Sequence, residues 1–339
     1  MRLDIALLGF GNVHRALVRL LLDRGERLLV ERELELRVVG IATGRHGIVV
    51  DSDGIDLKRA LKADDLGPLH RGPPISSAED FIGAVPADVV LEATSVDPVS
   101  GEPASSWLAS VLEQGMHAIT ANKGPVVHAY RRLADLARQR GLAFLFESAV
   151  MDGAPIFRMA ARTLPGARIV AFRGILNSTT NFVLGLMTQG HGQEEAIGMA
   201  QELGIAERDP SLDIDGWDAA LKTVALANVL MGADLRPDDV DRRGIRELGP
   251  GDAQEANSRG NAIKLVCRAE GDVGAVRVQV RPEEVPSDDL LAHVSGTSSA
   301  VSFRMDLLRE LTVVQHESGV DTTGYGMLAD LLTIAEGSA

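Results

Sequence analysis

The chain has 339 residues, 45% hydrophobic and 24% charged, a length and balance that suit two globular domains better than a single core. Acidic residues outnumber basic ones 48 to 34, for a formal charge of −14, and aromatics are only 4%, which argues against a nucleic-acid surface. No run approaches the roughly 20 apolar residues that span a bilayer, Met1-Arg2-Leu3-Asp4 does not open a signal peptide, and a lone Cys267 excludes an internal disulfide, so a cytoplasmic enzyme with no membrane partner is expected.

Asp4 to Leu8 is a short apolar run, predicted as a strand, and Gly9-Phe10-Gly11-Asn12-Val13-His14 follows at once. Helical periodicity runs from Ala16 to Leu22, with Arg15, Arg19 and Asp23 at its polar positions. Strand, glycine turn and helix are the context in which a G-x-G motif signals a dinucleotide site. Gly9 would make the turn and Gly11 would let the backbone approach a pyrophosphate, while Asn12 and Val13 open the helix on which it rests. His14 stands where a third glycine or alanine usually permits close packing, so either the helix stands off or the imidazole turns outward.

A second strand is predicted at Glu35 to Ala42. An acid at its end would bond the ribose 2′-OH of NAD, and an arginine would accommodate the 2′-phosphate of NADP. The chain reads Ala42-Thr43-Gly44-Arg45-His46 with no acid before Asp51, so Arg45, helped by Lys58, points to NADP(H) in preference to NAD(H). A solvated loop arginine is the alternative.

Further strands at Asp88 to Glu92, His117 to Thr120 and Leu142 to Phe146 alternate with helices at Pro103 to Gln114 and Val126 to Arg140. Such alternation predicts an α/β fold, a Rossmann-type doubly wound parallel sheet with ligands at the carboxyl ends of its strands. Those ends carry Thr94-Ser95, Asn122-Lys123 and Glu147-Ser148. Residues 1–146 form this dinucleotide-binding domain, completed by about 305–339. Residues 147–304 form a second, α+β domain for substrate and oligomerisation.

Within that second domain, Gly174 to Asn181 reads as a strand running into a helix capped by Asn or Thr. Ala200 to Lys222 packs acids densely around a helix start. Asp209-Pro210 marks a turn, Asp213 and Asp215 are natural cap or first-turn residues, and Asp218 and Lys222 share one helix face. A carboxylate beside an ammonium, with Glu207 and Asp213 near in sequence, could hold a zwitterion and supply a proton. From spacing alone, a capped helix with a surface ion pair is the simpler account. Strands follow near Ile263 to Ala269, with Cys267 as a core thiol, and Val276 to Val280. Met231 to Asn261 carries no periodic signal, and the eight histidines show no metal-ligand spacing.

Ala200, Gly204, Asp209-Pro210, Asp213, Gly216, Asp218 and Lys222 together resemble the signature of homoserine dehydrogenases. Thr120-Ala121-Asn122-Lys123, the segment Gly174 to Asn181 and the segment Glu147 to Pro155 are similar to further family motifs, with Ser178, Met151 and Asp152 where the family has glycine. Glu317-Ser318-Gly319 to Gly326 and a helix from Met327 to Ala335 resemble its terminal glycine turn and helix.

The resemblance implies reversible reduction of L-aspartate 4-semialdehyde to L-homoserine by NAD(P)H, in a short form without a regulatory domain. It implies Lys222 as proton donor and acceptor, Asp218 orienting lysine and substrate, and Lys123 between nicotinamide and substrate. Glu207 would meet the substrate ammonium, Thr179 and Asp213 would line its pocket, and Gly204 and Gly319 would lie by the cofactor. A monovalent cation (Na or K) at Glu147, Val150, Asp152 and Ala154 is implied too, as is a homodimer or homotetramer. Two alternatives remain. Met151, Asp152 and Ser178 leave open another small amino-acid aldehyde or keto acid as substrate, and His14 raises a non-catalytic NADP(H)-binding sensor.

Overall fold

The structure is a computed structural model and describes residues 1–272 and 274–337. The chain divides into two compact units, Met1–Pro155 with Val320–Ala339, and Ile156–Gly319. No helix among the described residues is long and apolar enough to cross a membrane.

In the first unit, β1 (Arg2–Leu8), β2 (Glu35–Ala42), β3 (Ile48–Val50), β4 (Val89–Glu92), β5 (His117–Thr120) and β6 (Phe144–Leu145) form one sheet in the order β3-β2-β1-β4-β5-β6. Between them lie α1 (Asn12–Arg32), α2 (Leu57–Ala60), α3 (Ala78–Ala84), α4 (Ala104–Glu113), α5 (Lys123–His128) and α6 (Tyr130–Arg140). Parallel strands covered on both faces must be apolar throughout, and Ile5 to Leu8 and Val89 to Leu91 are all buried. The sheet departs from the all-parallel expectation at its edge. β3 returns antiparallel to β2, because the short turn closed by Thr43 N–H to the Gly47 carbonyl (3.1 Å) permits only a hairpin.

Two helices differ from their predicted bounds. α1 continues to Arg32, where Glu33 in the left-handed region ends it (φ 51). Its second half is mostly exposed and so carries no apolar stripe for periodicity to register. The helix predicted from Val126 to Arg140 is two. Asn122 Oδ1 accepts from Gly124 N–H (2.9 Å) and starts α5 early, and Ala129 (φ −135, ψ 7) separates α5 from α6.

The second unit is built on β7 (Ile169–Ile175), β8 (Asp241–Arg242), β9 (Asn261–Glu270), β10 (Arg277–Pro286), β11 (Ser299–Met305) and β12 (Arg309–Gln315), ordered β12-β11-β7-β9-β10-β8. All pairs are antiparallel except β8 with β10. Its helices are α7 (Ile156–Thr163), α8 (Ser178–Thr188), α9 (Gln193–Glu202), α10 (Ser211–Ile214), α11 (Trp217–Leu230) and α12 (Pro250–Ser258). α11 and α12 pack on β9. Gly174 is required where β7 meets β11, since a Cβ there would lie 2.3 Å from the Ala300 carbonyl oxygen. α12 falls where no periodicity was seen; Pro250 and the Asp252 carboxylate, which accepts from Gly249 N–H (2.8 Å), start a helix too short to show a stripe.

The return to the first unit begins at Val320, later than residue 305, because β11 and β12 are a hairpin of the second sheet. Likewise the first unit runs to Pro155 and not 146. α13 (Val320–Ala335) then places Met327, Leu328, Leu331 and Ile334 in one core with Ile5, Leu17 and Leu91.

Candidate active site

In the first unit, the chain leaves β1 through Gly9 at φ +92, where a Cβ would lie 2.6 Å from the Ala93 carbonyl oxygen. Only glycine fits between the ends of β1 and β4. Gly11 is the N-cap of α1, with no side-chain cap and no acid in the first turn. The N–H groups of that turn, which include those of Asn12 and Val13, therefore have neither an intrahelical acceptor nor a capping oxygen, and a Cβ at Gly11 would meet nothing within 4 Å. An open, positive helix end of this kind fits a pyrophosphate.

His14 neither turns outward nor leaves the unit; it is fully buried. Its Nδ1 lies 2.7 Å from the Gly9 carbonyl oxygen, which can only accept, so Nδ1 carries the proton. Nε2 has no partner among the described residues. Burial lowers the imidazole pKa to about 4, so the ring is neutral near pH 7 and braces the glycine turn from beneath. Arg15, also unforeseen, lies over the Phe10 ring at 4.9 Å and donates to the Leu61 carbonyl (2.7 Å), which ties the turn to the end of α2. Lys58 on α2 and Arg45 in the turn after β2 are both exposed.

The ends of β4 and β5 meet at Glu92, read from sequence only as the last strand residue. Its carboxyl is fully buried and accepts from Thr94 N–H (2.7 Å), Thr94 Oγ1 (2.5 Å), Thr120 Oγ1 (2.5 Å) and Asn122 Nδ2 (3.4 Å). Burial pushes its pKa up, against those donors. Glu92 thereby holds Thr94, next to Ser95, and the turn that presents Lys123 at the start of α5.

The second unit carries a carboxylate–lysine cluster. Asp209 Oδ1 accepts from Ser211 N–H (3.1 Å) and Ser211 Oγ (2.5 Å), which turns the chain into α10. Asp213 lies in the first turn of α10 and Asp215 is the C-cap of that helix; neither is an N-cap, since Pro210 precedes α10 and Gly216 at φ 81 starts α11. Asp215 instead pairs with Arg246 (2.6 Å). Lys222 Nζ is 2.9 Å from Asp218 Oδ2 and donates to the Leu176 carbonyl at 2.8 Å. Asn177 Nδ2 donates to Asp213 Oδ1 (2.6 Å) and Asp218 Oδ2 (3.0 Å). Burial and the neighbouring Asp218 charge raise the Asp213 pKa, opposed by Asn177 and Lys222. Thr179 is buried and donates to the Ile205 carbonyl (3.3 Å), while Glu207 is exposed and its main-chain oxygen accepts from Gln201 Nε2 (3.0 Å).

Gly204 (φ 71) follows α9, and Gly319 ends the second unit. In the first unit, Glu147 is buried, and its N–H donates to Asp330 Oδ2 (3.0 Å). Met151 (φ 55) and Asp152 (φ 52) keep the left-handed backbone that glycines would adopt there, a strained shape for L side chains. The Asp152 carboxylate accepts from Thr323 Oγ1 (3.0 Å). Gly326 lies inside α13 and not in a turn, and a Cβ there would lie 2.3 Å from Ser148 Oγ.

The strand order and open α1 terminus of the first unit belong to dinucleotide-binding domains, the class of fold that NAD(P)-dependent oxidoreductases use. The family model for the homoserine dehydrogenase NAD-binding domain matches residues 9–147, and the model for homoserine dehydrogenase matches residues 155–332. The chain belongs to the homoserine dehydrogenase family. It is 37% identical to the NAD(+)-dependent homoserine dehydrogenase of Pseudomonas canavaninivorans over 97% of this chain and 95% of that protein. It is also 37% identical to the homoserine dehydrogenase of Methanocaldococcus jannaschii over 98% of each. A hyperthermophilic archaeal homoserine dehydrogenase in complex with NADPH superposes with a TM-score of 0.85 at 28% identity, over 99% of this chain and 98% of that one.

Proposed function

We propose that the chain interconverts L-aspartate 4-semialdehyde and L-homoserine with NAD(P)H, a step of amino-acid biosynthesis, and that Lys222 moves the proton. The observation that carries this is the Lys222 ammonium, held by Asp218 at 2.9 Å and the Leu176 carbonyl at 2.8 Å at the start of α11. Reduced cofactor, when bound, supplies the hydride to the aldehyde carbon, so negative charge builds on the aldehyde oxygen. Lys222 neutralises that oxygen and gives it a proton; in the oxidative direction it takes the hydroxyl proton. Asp218 aims the ammonium. Glu207 at the substrate ammonium, Thr179 and Asp213 in the pocket, Lys123 near the developing charge, and Gly204 and Gly319 by the cofactor follow from the family resemblance. The direct test is NADH and NADPH formation with L-homoserine near pH 9. Turnover with neither cofactor sinks the reading.

NADP(H) is the preferred cofactor in this proposal, supported by exposed Arg45 and Lys58 and by the lack of an acid at the end of β2. Arg45→Glu is expected to lower the NADP-to-NAD ratio of kcat/KM about tenfold or more, the loss of one hydrogen bond to a charged group plus repulsion. An unchanged ratio would remove Arg45 from the site. By the family resemblance, Glu147 and the main-chain oxygens of Val150, Asp152 and Ala154 are the candidate ligands of a monovalent cation, and hard oxygens of that sort suit an alkali ion. Activity should then rise when choline is replaced by sodium or potassium at constant ionic strength, and no response would dismiss the ion. The active form is taken to be a cytoplasmic homodimer or homotetramer, which a monomeric mass by light scattering would overturn.

A further inference from the structure

Only Leu176 and Asn177 join β7 to α8, and both reach the ion pair on α11. The Leu176 carbonyl accepts from Lys222 Nζ, and Asn177 Nδ2 donates to Asp213 Oδ1 (2.6 Å) and Asp218 Oδ2 (3.0 Å). Asn177 Oδ1 is committed to the start of α8, where it accepts from Thr180 N–H (2.8 Å) and Thr180 Oγ1 (2.8 Å). Those donors settle the amide orientation: a flipped amide would set its oxygen against two carboxylates and its NH2 against a backbone N–H. Asn177 is 4% exposed, so water is a poor substitute for these bonds.

Two carboxylates that converge on one amide nitrogen repel each other, and without the amide one of them would turn away or take up a proton. We propose that Asn177 is a positioning residue for the proton transfer: its amide bridges Asp213 and Asp218 and so holds Asp218 Oδ2 on Lys222 Nζ. The sequence showed Asn177 only as a helix cap. Its bridging role rests on the assignment of Lys222 as the proton carrier. The ionisable groups around the bridge are Asp213 from α10, Asp218 and Lys222 from α11, and Cys267 from β9. The Cys267 thiol is pushed up to about 11 by burial and stays neutral.

Serine and aspartate both cap helices well, so Asn177→Ser and Asn177→Asp keep the start of α8 and change only the bridge. Asn177→Ser is expected to lower kcat for L-homoserine oxidation about 10²-fold, the scale of a small misplacement of a reacting group. KM for the nucleotide and the far-UV circular dichroism should stay as in the wild type. Asn177→Asp adds a third anion and should move the acid limb of the kcat profile up by about one pH unit, since the lysine then releases its proton less readily. Wild-type rates and pH profiles in both variants, beside an inactive Lys222→Ala enzyme, would overturn the bridge alone. An active Lys222→Ala enzyme would overturn the proton-transfer assignment and the bridge with it.

Discussion

Lys222→Ala is expected to lower kcat for L-homoserine oxidation by about 10²- to 10⁴-fold, the usual contribution of a positioned acid–base group. Affinity for NADP(H), read by fluorescence titration, should stay close to wild type, because the groups assigned to hold the nucleotide are the glycine turn and Arg45, and Lys222 is assigned to the proton. The drop corresponds to roughly 3–5 kcal/mol of transition-state stabilisation. The lysine side chain is 19% exposed, and its removal leaves the Leu176 carbonyl and the Asp218 carboxylate without the ammonium between them. Some loss of stability therefore accompanies the loss of rate, and the melting temperature separates the two. A variant that melts a few degrees lower yet turns over at more than a tenth of the wild-type rate would rule out Lys222 as the proton carrier.

Glu92→Ala should destabilise the first unit by about 2–4 kcal/mol, since four donors on three residues at the ends of two strands lose a buried acceptor. For a unit of this size that corresponds to a fall of several degrees in melting temperature. Glu92→Gln tests the charge separately. Burial raises the folded-state pKa of Glu92, so folding favours the neutral carboxyl. That contribution is fully present below the unfolded value, about 4.3, and is lost as pH rises through the folded value. Glutamine, neutral throughout, should accordingly compare best with the wild type at neutral and alkaline pH, and worse as pH falls toward 5. Thermal melts from pH 5 to 8 decide this; a deficit for Glu92→Gln that grows with pH would mean the four donors outweigh burial.

How far the sequence reached varies from element to element. β2 and β5 fell on their predicted residues, because an apolar run covered by helices on both faces is visible without its neighbours. β3 was missed, being a short edge strand that follows a tight turn. The i,i+4 relation of Asp218 and Lys222 could be read directly, yet the same spacing suits a surface ion pair. What sets it apart from a surface pair is the reach of Asn177, about 40 positions earlier, and of the carbonyl of Leu176 beside it. For His14 the sequence offered a displaced helix or an outward ring, and the ring in fact lies buried against the Gly9 carbonyl. Asp213 and Asp215 suit a cap or first turn by type, and they sit in the first turn and at the C-cap of α10, but glycine in the left-handed region starts α11 and their carboxylates take the side-chain partners Asn177 and Arg246.

The amino-acid sequence by itself determined the alternation of strand and helix, the glycine turn at the start of α1, and the acid and lysine one turn apart on α11. These depend on covalent spacing and helical or strand period, which the chain carries locally. Only the tertiary structure decided which side chains of α13 enter the first core, that Glu92 gathers the ends of two strands, and that Asn177 bridges two carboxylates. Each of these is a polar or apolar group removed from water by residues distant in the chain. There an unmet hydrogen bond is costly enough to select one arrangement among several that local propensity allows equally.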